Sequence, residues 1–195
     1  MSEDDYIESR HVAEVALDLF GYLPYSIVAE ALHSALLLPD PRLKVFAAAS
    51  LLRQQQAVDA VEIERIASSN QVRIILWRML KTLRLETMMP ACWSEPEQLA
   101  ESSFIDWASH FLETGEPPQE IQLMGVFPTS GHEGILDAYL FRFRECPQPS
   151  KPDEGWMAAV AGPFYRGEGL NSPWSAYDPW DSMSPKEHFA KLYFR

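Results

Sequence analysis

The stretch Asp40–Arg53, DPRLKVFAAASLLR, decides how the N-terminal half of this chain is read. Asp40 can accept hydrogen bonds from free backbone N–H groups at a helix start. Pro41 suits the first helical position, where no donor is needed. Leu43, Phe46, Ala47, Ser50 and Leu51 then fall on one helical face. Ala47, Ala48 and Ala49 keep the segment slim, so neighbouring helices can approach closely. A capped helix with small residues and a leucine edge predicts a helical stack built around this segment.

Working outward, Val12, Val15, Ala16 and Leu19 form an amphipathic stripe that predicts a helix over Ser9–Phe20, with Gly21 to stop it. Pro24 opens the next, whose apolar face is Ile27, Val28, Ala31, Leu32, Ala35 and Leu36. Asp59 and Glu62 make a capping-box pattern for a short helix carrying Ile63, Ile66 and Ala67. Ser69 or Asn70 begins another, with Val72, Ile75, Leu76, Met79, Leu80 and Leu83 on its buried side. Arg73, Arg78, Lys81 and Arg84 read as its solvated outer face. Ser94 with Glu97, and Pro96 in the first turn, starts a helix with Phe104, Trp107, Ala108, Phe111 and Leu112 at helical spacing.

Two of these helices align with each other. Leu43-Lys44 matches Val72-Arg73, and apolar residues follow each pair at helical spacing. Roughly Pro24–Leu85 resembles the HEAT repeat family, whose second helix carries Asp-x-x-Val-Arg followed by small and leucine residues. The resemblance implies stacked helical pairs that present an extended binding surface. The offset of 29 residues is shorter than the ~40–47 usual for such repeats, and a plain helical bundle is the alternative.

Gly115-Glu116-Pro117-Pro118 marks a module boundary, after which the hydrophobic period changes. Ile121–Phe127 reads as a strand, Pro128–Gly134 as a turn-rich loop, Leu136–Arg144 as a second strand and Trp156–Tyr165 as a third. A three-stranded antiparallel meander that packs against helices is the economical arrangement. Pro173–Asp181 reads as an aromatic stretch wrapped across a module. Ser184-Pro185-Lys186-Glu187 combines a capping box with proline at the first position of a final helix. The expected fold class is therefore α+β: a HEAT-like helical module over 1–115, then a β-meander module with a C-terminal helix over 119–195.

At 195 residues and 47% hydrophobic content the chain can bury a substantial core. It has no apolar run long enough to cross a bilayer, and its acidic start is unlike a secretory signal, so a cytoplasmic location is expected. Cys92 and Cys146 are the only cysteines and form neither a disulfide framework nor a zinc pattern. The net charge of −12 repels nucleic acid and anionic membrane, and Glu86–Glu120 holds eight acidic residues with no Lys or Arg.

These features point to a non-enzymatic protein-binding module, an immunity-type inhibitor or adaptor that takes a basic protein partner. Glu95, Glu97, Glu101 and Asp106 are the expected steering surface, with Trp107, Trp174 and Trp180 as anchors. No cofactor or metal ion is implied. The alternative is a small-ligand-binding protein or enzyme with a pocket in the β module near His132 and Glu133. Gly131-His132-Glu133-Gly134 lacks the second histidine that a zincin helix requires. The chain likewise shows no nucleophile elbow and no dinucleotide fingerprint.

Overall fold

The computed structural model describes residues 3–111, 117–131, 134–145, 155–165 and 175–193, and its architecture is α+β. Helices come first and an antiparallel sheet follows. The chain divides into two compact units, Met1–Ser94 and Glu95–Arg195. This division lies ahead of the boundary expected at Gly115, because the aromatic helix before that glycine is packed on the sheet.

The first unit contains α1 (Glu3–Phe20), α2 (Tyr25–Leu36), α3 (Pro41–Arg53), α4 (Ala60–Ser68) and α5 (Arg73–Leu83). Two 3-10 turns, Glu86–Met88 and Ala91–Trp93, follow. α3 is the hub and packs against all four other helices. The Asp40 carboxylate accepts from the Arg42 amide at 2.7 Å, and Pro41 takes the first helical position as the sequence predicts. Ala47, Ala48 and Ala49 are all buried, three consecutive residues that point in three directions round the helix. A helix buried all round needs small side chains on the sides where neighbours come closest.

α1 is docked the opposite way from what its pattern suggests. A surface helix ordinarily turns its apolar stripe inward. Here Val12, Val15 and Leu19 are 64%, 49% and 57% exposed, while Glu14 and Leu17 are each 6% exposed. The inward face is held by polar contacts to α3 and its flanks. The Tyr6 hydroxyl donates to Asp40 at 2.7 Å, and the Arg42 guanidinium donates to Glu14 at 2.7 Å. At the other end of α1, carbonyls that have no partner within the helix are capped from α3. Ser50 donates to the Leu17 carbonyl at 2.7 Å, Arg53 to that of Asp18 at 3.1 Å, and Gln54 to that of Phe20 at 2.5 Å. Gly21 lets this clasp close: a Cβ there would lie 2.5 Å from Arg53 Nη1 and 2.9 Å from Ser50 Oγ.

Arg73 also departs from expectation. It is not on the outer face of α5 but is buried, where its guanidinium donates to the Ala67 carbonyl at 2.8 Å and the Ser68 carbonyl at 3.2 Å. It also lies over the Trp93 ring, 4.6 Å from the centroid. The cation thus caps the end of α4 from the start of α5, and buried guanidinium is tolerated because its donors are used. Asp59 caps α4 through the Val61 amide at 2.8 Å, whereas Glu62 turns to Lys44 at 3.4 Å and to Arg65.

The second unit runs α6 (Pro96–Phe111), β1 (Glu120–Gly131), β2 (Gly134–Arg144), β3 (Met157–Tyr165), β4 (Ser175–Pro179) and α7 (Pro185–Tyr193). The sheet is an antiparallel meander in the order β1-β2-β3-β4. Two expectations are corrected here. Pro128–Gly131, expected as loop, continues β1, with Pro128 opposite Asp137 and Ser130 opposite Ile135. β1 is an edge strand, and an edge accepts proline because no neighbour needs its N–H. Ser175–Pro179, expected as part of a wrapping segment, is a fourth strand paired with β3. Its five residues give too little alternation to read as a strand from sequence.

Both faces of the sheet are covered. Phe141 and Phe143 meet Phe104 of α6, with ring centroids 5.9 and 5.1 Å apart. Ala138, Leu140, Ala158 and Val160 form a cluster with Phe189 and Leu192 of α7 on the other face. β2 is therefore covered on both sides, and its residues are buried almost without a break from Leu136 to Arg144, the charged Asp137 and Arg144 included. At Gly162, φ is +105°, beside the register shift between Asp137 and Tyr139, and the Asp137 carbonyl would lie 3.1 Å from an added Cβ.

α7 begins with the expected capping box. The Ser184 amide and hydroxyl donate to Glu187 at 2.8 and 2.6 Å, and the Glu187 amide lies 3.4 Å from the Ser184 hydroxyl. The hydroxyl contact first, then the amide, holds the Glu187 pKa below its ordinary value. A pKa lower in the folded than in the unfolded state gives stabilisation that is present above the unfolded value and is lost as pH falls through the folded one. A carbon-13 titration of the Glu187 carboxyl is expected to show a midpoint below that of the unfolded chain. Ser184→Ala is expected to raise that midpoint; an unmoved midpoint would disprove the capping contact in solution.

Candidate functional site

The four carboxylates expected as a steering surface all lie on or just before α6. Glu95 precedes the first residue of α6, and its carbonyl accepts from the Leu99 amide at 3.1 Å; its side chain is exposed. Ser94, expected to cap this helix, instead donates to the Ala91 carbonyl at 3.1 Å. Glu97 is exposed in the first turn, and Glu101 follows on nearly the same side, half-buried. Asp106 is half-buried and lies about 180° round the helix from Glu97 at 100° per residue. Three carboxylates thus share one end of α6 and the fourth turns away.

The anchor tryptophans have internal neighbours. Trp107 is half-buried, with Phe104 at 6.1 Å and Tyr177 at 5.9 Å between ring centroids. Trp180 is half-buried, stacks on the His188 ring at 4.2 Å, and has the Arg142 guanidinium 6.0 Å from its centroid. Trp174 lies outside the described residues, as do His132 and Glu133, on which the ligand-pocket alternative rests.

Sequence reasoning missed two arrangements in the second unit. Arg142 and Arg144, two apart on β2, each place a guanidinium 4.5 Å from the centre of the Trp156 ring. Arg142 also donates to Gln122 at 2.8 Å, and Arg144 pairs with Glu120. The alternation that puts both arginines on one face was visible, but the tryptophan that they share lies across a long connection. His188 is fully buried under Trp180, with Nε2 3.4 Å from the Asp181 amide and 3.5 Å from its carboxylate. Its Nδ1 has no hydrogen-bond partner among the described residues. Among the described residues no group of three or more His, Cys, Asp or Glu is placed to hold a metal ion, and no helix is long and apolar enough to cross a membrane. Cys92 is exposed and unbridged.

Among the described residues, large apolar side chains stand exposed along α1 of the first unit. Val12, Val15 and Leu19 lie within about 60° of one another on α1. In the turn after α1, Tyr22 and Leu23 are exposed, and the Arg53 guanidinium lies 4.5 Å from the Tyr22 ring centroid. Residues 1–40 carry eight Asp and Glu against one Lys or Arg, Arg10. Glu14 already answers Arg10, at 3.6 Å, and Asp18 is paired with Arg53 at 3.0 Å. Glu8, one turn before Val12 on the same side, is exposed. No family model, curated protein or solved structure matches this chain.

Proposed function

We propose that the chain is a non-enzymatic protein-binding module whose partner is basic, acting as an adaptor or an immunity-type inhibitor. One observation carries this reading: large apolar side chains stand exposed along α1 and its following turn, on a segment that is strongly acidic. Exposed apolar groups clustered on one side and rimmed by polar ones mark interaction surfaces. An acidic field steers a basic partner toward such a surface and disfavours acidic ones. The HEAT-like reading of the helices belongs to the same proposal, since stacked helices would hold the surface firm.

The experiment is affinity capture with the purified chain at low and high salt, read by mass spectrometry. A basic protein retained at low salt and weakened by salt is the expected result. No specific partner in either condition would overturn the reading.

A further inference from the structure

We infer that the outward face of α1, formed by Val12, Val15 and Leu19, is a docking site for a basic amphipathic helix of a partner protein. This inference rests on the protein-binding reading and names the surface and the chemistry that fits it.

The face is unusual in its origin. On most helices the apolar stripe is used up in the core, but here the inward side carries the buried Leu17 side chain together with polar contacts from Glu14 and the carbonyls of Leu17, Asp18 and Phe20 to Arg42, Ser50, Arg53 and Gln54. Those polar contacts fix which side of α1 looks out. Three β-branched or leucine side chains at positions i, i+3 and i+7 then form a straight apolar ridge. That spacing is what a partner helix recognises when it lays its own apolar stripe alongside.

Charge selects among occupants. Along the same side of α1 the ridge is preceded by the exposed Glu8, and in sequence the first forty residues carry eight Asp and Glu against one Arg. A second copy of this chain would bring two such acidic surfaces together on a protein of net charge −12, which opposes self-pairing. A helix with leucines on one side and lysines or arginines on the other buries the ridge and neutralises its rim. Apolar contact would supply the binding energy, and the rim charges the rate and the choice of partner.

The test uses the full chain and a synthetic helical peptide of leucine and lysine patterned as an amphipathic helix, with a scrambled peptide of the same composition. Binding is read by fluorescence anisotropy. The chain is expected to bind the patterned peptide, and to bind the scrambled one more weakly. The triple variant Val12→Ser, Val15→Ser, Leu19→Ser is expected to lose at least about tenfold in affinity, the scale of truncating central interface side chains. Its circular dichroism should match the parent, since all three side chains are exposed. Failure to bind the patterned peptide, equal binding of the scrambled one, or unchanged affinity in the triple variant would each overturn the inference. So would a parent chain that sediments as a dimer and a triple variant that sediments as a monomer, because a second copy would then cover the ridge. If a basic protein is captured equally by the parent and the triple variant, the docking face is wrong while the protein-binding reading stands. If no partner is captured at all, the reading itself fails.

Discussion

Phe104→Ala is expected to destabilise the second unit by about 3–5 kcal/mol, the range for removing a fully buried aromatic ring. Phe104 is completely buried. Its ring meets Phe141, Phe143 and Trp107 with centroids 5.1–6.1 Å apart, so one deletion removes three aromatic contacts and leaves a cavity between α6 and the sheet. Aromatic pairs in these geometries contribute beyond the area that they bury. The sheet cannot collapse easily to fill the gap, because Phe141 and Phe143 are on β2, which is paired on both sides. Urea unfolding followed by tryptophan fluorescence reads the change. A cost below about 1 kcal/mol would mean that α6 does not close this face in solution. Leu123→Ala, at an exposed position on edge strand β1, is the matched control and is expected to cost little.

How much of this was legible follows from where each element takes its information. Asp40, Pro41 and the alanines of α3 announced a capped, slim, central helix, and Ser184 with Glu187 announced α7. Both signals are local: a capping side chain reaches a backbone group within three residues. The same locality misled at Ser94, where the hydroxyl found the Ala91 carbonyl instead. Residues that answer a distant partner were read wrongly. Arg73 looked like a surface cation because nothing nearby in sequence shows the Ala67 carbonyl and Trp93 waiting for it. Pro128 looked like a loop because its tolerance on a strand depends on that strand being an edge.

The placement of the expected steering carboxylates and anchor tryptophans likewise depends on geometry that the sequence does not display. Glu97 and Asp106 are nine residues apart, and a helix carries them to opposite sides. Trp107 and Trp180 are placed against Tyr177 and His188, contacts that only the assembled sheet creates. The exposed ridge of α1 was in plain view as a pattern, yet the pattern cannot say which way it faces. Periodicity identifies a stripe, and the partners available on α3 decide whether the stripe or its opposite side turns inward.

That decision can be tested directly, because it makes a charged residue matter more than an apolar one. Glu14→Ala is expected to destabilise the first unit by about 3 kcal/mol, the low end for breaking a buried pair from one side. Glu14 and Arg42 have side chains 7% and 19% exposed, so the guanidinium left behind is poorly hydrated and loses its carboxylate oxygen at 2.7 Å. Arg10, 3.6 Å away on the same carboxylate, loses its contact too. Val12→Ser on the outward face is expected to stay within about 0.5 kcal/mol of the parent. Replacing both members of the pair, Glu14→Leu with Arg42→Met, is expected to recover most of the loss, because the half-buried guanidinium goes with the carboxylate and only the more exposed Arg10 loses a contact. Amide hydrogen exchange along α1 reads all three variants locally, without assuming that the two units unfold together. If Val12→Ser loosened α1 more than Glu14→Ala, the helix would have to be turned with its apolar stripe inward. The ridge offered to a partner would then not exist.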